Sequence, residues 1–167
     1  MKRSLASLVL GVVIITGMVG CSETAKPVHE VAEIKVKSES EKKTEYLNFV
    51  SQENDKAEEA LNEITRLFDK ARLHPDLFQS KFFINDLEVQ YEKIENIYFK
   101  LKLYKETEIP KDLIDSHNTL VEGYQNCYNG NNYVLDGINE RDPEKMKKGA
   151  DLMRDGAYLM KISGLNN

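Results

Sequence analysis

The chain has 167 residues, of which 31% are charged and 8% aromatic, and it contains no tryptophan. This length is sufficient for one domain with a hydrophobic core. The formal net charge of −5 argues against the concentrated basic surface that binding to nucleic acids or anionic lipids requires. We therefore expect no nucleic-acid partner.

The first 20 residues have the three-part pattern of a secretory signal peptide. Two cations, Lys2 and Arg3, precede an apolar run over residues 5–19, and the run ends in Met18-Val19-Gly20-Cys21. A transmembrane helix needs about 20 apolar residues, and this stretch is shorter and contains glycine and threonine. An uncleaved anchor or an ordinary signal peptide remains the alternative.

Met18-Val19-Gly20-Cys21 resembles the lipobox of bacterial lipoprotein precursors, with Met18 in place of the more common leucine. The resemblance implies cleavage before Cys21 by signal peptidase II. It also implies a diacylglycerol thioether on Cys21, and usually an N-acyl chain. The protein would then be attached through lipid to the extracytoplasmic face of a cell membrane. Each buried CH₂ group contributes about 0.8 kcal/mol to such an anchor, so two or three chains hold stably.

Residues 21–40 are predicted to form a lipidated, flexible tether. They combine serine, glutamate and lysine with one proline, and charged segments of this kind stay solvated and extended. Removal of residues 1–20 would take away Lys2 and Arg3 and no acid, which leaves a net charge of about −7. Residues 41–167 form the predicted folded domain, similar in style to the small, uncharacterised helical lipoproteins of Bacillus-like bacteria.

Apolar residues at steps of three and four predict four helices in this domain. The first begins near Glu41 and ends at His74-Pro75, where a second begins, because the residue before proline leaves the α region. Glu108-Ile109-Pro110 separates the second from the third, and Asp142-Pro143-Glu144 starts the fourth. Short connections favour antiparallel neighbours. The predicted fold is therefore all-α, an antiparallel up-down four-helix bundle.

The core positions predicted from this spacing follow, helix by helix. In the first helix they are Tyr46, Val50, Ala57, Leu61, Ile64, Phe68 and Ala71. In the second they are Ile84, Leu87, Tyr91, Ile94, Tyr98 and Leu101, widened by Phe78, Phe82, Phe83 and Ile97. In the third they are Leu113, His117, Leu120, Tyr124, Cys127, Asn131, Val134 and Ile138.

The fourth helix contains a seven-residue repeat in which methionine and a small residue recur together. Each helical glycine costs up to about 1 kcal/mol, so close backbone approach is the expected reason for their presence. Packing within the bundle is one explanation, and a face for a protein partner is the other. Copper binding by thioethers is disfavoured, because the methionines are two turns apart. The candidate partner face comprises Met146, Gly149, Met153, Gly156 and Met160.

Amides and tyrosines are concentrated over residues 124–133, in the middle of the third predicted helix. We interpret the segment as one helix with a weakened turn at Asn129-Gly130. It is either a polar layer within the bundle or a surface that binds a glycan or peptide through stacking and hydrogen bonds. The candidate ligand residues are Tyr124, Asn126, Tyr128, Asn131 and Tyr133.

No arrangement of reactive residues predicts catalysis. Cys127 lies ten residues from His117 on one predicted helix, about 15 Å along its axis, so the two cannot form a nucleophile and base. A buried inert thiol is expected at Cys127, with a disulfide-linked dimer as the alternative. The Glu-x-x-His pairs of bundle metal sites are not found in the sequence. We expect a non-enzyme without metal or cofactor.

Together these features predict a lipid-anchored, extracytoplasmic helical module that binds or assembles with an envelope or membrane protein. The alternative is an envelope lipoprotein that captures a ligand such as a peptidoglycan fragment, a peptide or a metal. Of the candidate residues, Cys21 alone is implied by the lipoprotein resemblance. The others rest on composition and helical spacing.

Overall fold

The computed structural model describes residues 37–165, and this part of the chain is all-α. The lipobox with Cys21, and the predicted tether up to residue 36, lie outside the described residues. The four long helices are α1 (Glu39–Leu73), α2 (Lys81–Lys102), α3 (Ile114–Glu140) and α4 (Pro143–Ile162). Among residues 37–165, none of the helices is both long and apolar enough to cross a membrane.

Side chains that the sequence places at the helix ends fix where α1 and α4 start. Ser38 and Glu41 form a capping box at the start of α1: the Glu41 amide donates to Ser38 Oγ at 3.2 Å, and the Ser38 amide donates to Glu41 Oε2 at 2.8 Å. Asp142 Oδ1 accepts from the amides of Glu144 and Lys145 at 3.0 and 3.1 Å. The predicted start of the fourth helix is confirmed.

The boundaries around α2 differ from the prediction. Pro75 belongs to a separate 3₁₀ helix, Pro75–Gln79, and α2 begins only at Lys81. An aromatic cluster packs this turn against both helices: the Phe78 ring lies 6.2 Å from that of Phe68 and 5.4 Å from that of Phe83. At its other end α2 stops at Lys102, and residues 103–113 hold two 3₁₀ turns, Glu106–Glu108 and Lys111–Leu113.

The core positions predicted from the helical spacing form most of the observed core. In α3 every predicted core position from His117 to Ile138 is buried. In α2 the positions spaced by three and four residues are buried as well, except Ile84, which is half-buried. Phe82 was placed on the core face, but it is 85% exposed. Adjacent residues of a helix point about 100° apart, and its neighbour Phe83 takes the core position.

Named contacts show which parts of the helices meet. Glu53 in the first half of α1 pairs with Lys100 near the end of α2, whereas Phe68 late in α1 meets Phe83 early in α2 at 6.5 Å. The Tyr46 hydroxyl lies 2.9 Å from His117 Nδ1 on α3.

Glycines set the unusually close approach of α3 to α4. A Cβ at Gly149 would lie 2.5 Å from the carbonyl oxygen of Gly130, and a Cβ at Gly156 would lie 2.5 Å from that of Gly123. Real Cβ atoms do not come so near a backbone oxygen, so these positions require glycine. Since Gly123 meets Gly156 and Gly130 meets Gly149, α3 and α4 run in opposite directions.

The methionines of the repeat fill the α3 side of the same contact. A Cβ at Gly123, Gly130 or Gly137 would lie 2.6–2.8 Å from the Cγ of a methionine on α4. The three methionines, in the same order, are Met160, Met153 and Met146. Both halves of the seven-residue repeat are therefore used in packing α4 on α3.

Candidate functional site

A small, half-open cavity lies between α2 and α3, near the middle of both helices. Its volume is about 250 Å³. Two of its residues come from the predicted core seams, Tyr91 of α2 and Asn131 of α3. The lining residues are Glu88, Tyr91, Glu92, Glu95, Tyr128, Asn131, Asn132 and Leu135.

Two residues that line this cavity carry three buried polar atoms with no hydrogen-bond partner among the described residues. They are Tyr91 Oη, Asn131 Nδ2 and Asn131 Oδ1. The two residues are 4% and 2% exposed, respectively. An unpaired buried polar group costs about 1–3 kcal/mol, and most such groups in folded proteins are satisfied. Neighbouring protein atoms cover all three atoms almost completely, so a ligand in the cavity would reach them through a shift of the lining side chains.

The rim of the cavity is acidic. Glu88, Glu92 and Glu95 lie at steps of four and three along one face of α2, and among the described lining residues none is basic. Burial raises the pKa of the Tyr91 hydroxyl, so this group stays neutral and can donate or accept a hydrogen bond. The site thus combines a neutral polar interior with a negative entrance.

Aromatic stacking fixes one wall of the cavity. The Tyr128 ring lies 5.6 Å from that of Tyr98 on α2, with the planes inclined by 15°. Phe99 meets the edge of the same tyrosine at 5.9 Å. Such contacts contribute about 0.5–1.5 kcal/mol beyond burial, so the wall is held in place before any ligand arrives.

The helix carrying Asn131 is regular throughout. The sequence predicted one helix with a weakened turn at Asn129-Gly130, and α3 is α-helical across both residues. Gly130 is instead explained by its contact with Gly149. Gly130 lies on the side of α3 that contacts α4, whereas Asn131 lies on the side that faces α2.

The structure does not bring the five predicted ligand residues into one site. Tyr128 and Asn131 line the α2–α3 cavity. Tyr124 is buried on another side of α3 and donates to Asn54 Oδ1 at 2.9 Å. Tyr133 contacts Lys148, whose Nζ lies 4.2 Å from its ring centre, and Asn126 is half-buried elsewhere on α3.

Sequence reasoning missed the α2 half of the cavity. Tyr91 and Asn131 were each predicted as core positions, but the sequence did not show that they line the same cavity. One signal in the sequence could have paired them: each helix has a polar residue near its middle, among its predicted core positions. Glu88, Glu92 and Glu95 were not among the candidate residues taken from the sequence.

The candidate partner face on α4 is turned toward α3. Gly149 and Gly156 are buried, and Met146, Met153 and Met160 pack over the α3 glycines. The outer sides of Met146 and Met153 also line a mainly apolar groove of about 520 Å³ between α1 and α4. Its other residues are Ile64, Thr65, Phe68, Asp69, Val134, Lys147 and Ala150.

Cys127 and His117 are both buried and lie in separate environments. Burial raises the pKa of the Cys127 thiol to about 12, and the thiol donates weakly to the carbonyl oxygen of Met153 at 3.8 Å. Burial lowers the pKa of His117, whose ring nitrogen meets Tyr46. The two residues form no nucleophile–base pair.

Glu53 is a buried carboxylate with a structural role. Burial alone would raise its pKa, but hydrogen bonds from Lys56 and Lys100 outweigh burial and hold the pKa below its usual value. The distances from Glu53 Oε1 are 2.6 Å to Lys56 Nζ and 3.1 Å to Lys100 Nζ. This ion pair joins α1 to α2.

Comparison with known proteins gives this chain no family. It matches no family model, and no curated protein or solved structure is significantly similar to it.

Proposed function

We propose that this protein is a lipid-anchored binding module on the extracytoplasmic face of a cell membrane, and that it captures a small ligand in the α2–α3 cavity. The anchor is inferred from Met18-Val19-Gly20-Cys21. The observation that carries ligand capture is the unpaired, buried polar surface of Tyr91 and Asn131. Pockets that bind small molecules typically place a few convergent polar groups in a concave, mainly apolar site.

We also propose that the four helices form an antiparallel up-down bundle. Contacts between early α1 and late α2, and between α3 and α4 through paired glycines, support opposite directions for neighbours. Tyr98 late in α2 meets Tyr128 near the middle of α3, and Tyr91 shares the cavity with Asn131. In this arrangement the cavity opens between two adjacent helices at mid-height.

Binding is proposed in preference to catalysis. Burial raises the pKa of the Cys127 thiol, and no histidine among residues 37–165 pairs with it. His117 is held by Tyr46 in the core. The polar atoms of the cavity are an amide and a neutral phenol, which suit recognition through hydrogen bonds and supply no strong base or nucleophile.

The anchor is tested by a Cys21→Ser variant, with Cys127→Ser as the matched control. We expect wild type and Cys127→Ser to incorporate a labelled fatty acid and to sediment with membranes. The Cys21→Ser protein should lose both properties, because position 21 no longer carries the thiol that forms the thioether. Normal trimming of Cys21→Ser, with retention in the pellet after alkaline washing, would refute the anchor.

Ligand capture is tested by thermal unfolding of the full chain in detergent, with wall fragments, short peptides, amino-acid amides and divalent metals added singly. A ligand that binds the native cavity raises the unfolding temperature. We expect such a rise for wild type and none for Asn131→Leu. If no compound shifts wild type, or if both proteins shift equally, the cavity is not the binding site.

A second candidate function is assembly with an envelope or membrane protein through the α1–α4 groove. The observation that favours it is the apolar lining by Phe68, Met146 and Met153. Crosslinking on living cells should lose a specific partner when the groove residue Ala150 is changed to arginine. Val89→Arg, on the exposed side of α2, is the control, and equal crosslinking by both variants would exclude the groove.

A further inference from the structure

We propose that the ligand of the α2–α3 cavity is an α-amino amide, the group shared by amino-acid amides and the free amino terminus of a peptide. This inference rests on the proposed ligand capture and adds the chemical class of the ligand. It is argued from the hydrogen-bonding capacity of Tyr91 and Asn131, the charge of the rim and the size of the cavity.

The hydrogen-bonding capacity requires both an acceptor and a donor on the ligand. Asn131 Nδ2 can only donate, so it needs an oxygen, whereas Asn131 Oδ1 can only accept. Tyr91 Oη can do either. A carbonyl next to an N–H group meets these needs, since its oxygen accepts from Asn131 and its N–H donates to Oδ1 or to Tyr91. A simple ammonium ion would leave the Asn131 donor unpaired.

The rim adds a preference for positive charge. Glu88, Glu92 and Glu95 stand at the entrance with no basic residue among the described lining residues. A carboxylate on the ligand would face like charge there. An α-amino group has a pKa of about 7.7–8.0 and is largely protonated at neutral pH. An ammonium group at the rim and an amide in the interior therefore match the two parts of the site.

The volume limits the ligand to a small group. Sites for drug-sized molecules occupy about 300–1,000 Å³, and this cavity has about 250 Å³. One amino-acid residue with its amide is of the right order. Leu135 supplies an apolar contact for a short side chain, and the Tyr128 ring supplies a second.

The test is calorimetric titration of the full chain in detergent with compounds that differ by one group. L-Alaninamide carries ammonium, carbonyl and amide N–H groups. N-acetyl-L-alaninamide lacks the ammonium group, L-alanine carries a carboxylate, and ethylammonium lacks the carbonyl. Trialanine amide distinguishes a peptide terminus from a free amino-acid amide. N-acetylglucosamine tests an amide that belongs to a sugar.

We expect L-alaninamide or trialanine amide to bind roughly tenfold more tightly than each compound that lacks one group, since one hydrogen bond or charge contact has about this value. Asn131→Leu should weaken binding at least about tenfold, and Tyr91→Phe by about three- to tenfold. Tyr133→Phe, on α3 but outside the cavity, is the matched control and should bind as wild type does. Glu92→Gln should reduce the preference for alaninamide over its acetylated form.

The outcomes separate this inference from the function on which it rests. If N-acetylglucosamine, N-acetyl-L-alaninamide or L-alanine binds as well as alaninamide and loses affinity in Asn131→Leu, the cavity binds ligands but the α-amino amide class is refuted. If no compound in this panel binds, the α-amino amide class is refuted. Whether the cavity binds another ligand is then tested by the wider panel in the thermal-unfolding experiment. If alaninamide binds wild type and Asn131→Leu equally, both proposals fail for this cavity.

Discussion

Replacement of Gly130 by alanine is a direct test of the close approach between α3 and α4. The added Cβ would lie 2.6 Å from the carbonyl oxygen of Gly149, 2.6 Å from Met153 Cγ and 3.1 Å from the Met153 amide nitrogen. Favourable carbon contacts lie at about 3.5–4.0 Å. Because two of the three blocking atoms belong to the backbone, the helices have to separate by about 1 Å.

The energetic cost follows from that separation. A gap of about 0.5–1 Å removes a quarter to a half of the dispersion energy of each contact, and overpacking of a core costs about 1–3 kcal/mol. The higher helix propensity of alanine offsets up to about 1 kcal/mol of this loss in the free energy of unfolding. We expect Gly130→Ala to lower the free energy of unfolding by about 1–2 kcal/mol, equivalent to roughly 4–10 °C in unfolding temperature.

Urea unfolding followed by circular dichroism measures this change. Ala157→Gly, at an exposed position of α4, is the control, and it should lose about 1 kcal/mol through propensity alone. Helix propensity and packing predict opposite signs for Gly130→Ala. A variant as stable as wild type, or more stable, would refute the close glycine packing.

The remaining predictions concern buried groups. Native Cys127 should resist alkylation at pH 8 and react only on unfolding, because burial raises its pKa to about 12; prompt labelling of folded protein would contradict this. His117 has a lowered pKa, so its contribution to stability is complete above about pH 6.5 and is lost as pH falls toward the folded-state pKa. His117→Gln should lack this slope in urea unfolding between pH 7 and 5. Glu53 also has a lowered pKa, so its stabilising effect is present above about pH 4.3 and is lost as pH falls through the folded-state value. Glu53→Gln should flatten that acid decline, and an unchanged profile would show that the ion pair contributes nothing.

Periodic burial was the part of the fold that the sequence predicted best. Three- and four-residue steps located all four long helices, and Asp142-Pro143 located the start of α4, because capping and proline geometry act locally. The same local reasoning did not place Phe82. Choosing between neighbouring phenylalanines depends on which helix lies opposite, and that information is not local.

The candidate site was predicted only in part, for the same reason. Asn131 and Tyr128 lie on a single helix and were selected by their composition. Tyr91 belongs to another helix and became part of the site only when α2 and α3 were brought together. Likewise, Gly149 was expected to permit close approach, but the partner that approaches it, Gly130, was interpreted as a helix-weakening residue.

The paired glycine repeats have a consequence for how the sequence specifies alignment. If α4 moved along α3 by seven residues, glycines of α3 would again face methionines of α4. This interface alone therefore permits more than one alignment of the two helices. The choice is made by the two-residue turn Arg141-Asp142, where Arg141 adopts a left-handed conformation with φ 57°. The bond from Asn54 to the carbonyl oxygen of Leu165, at 3.0 Å, secures the far end. A longer connection at this turn would weaken this constraint and allow α4 to slip along α3 by one repeat.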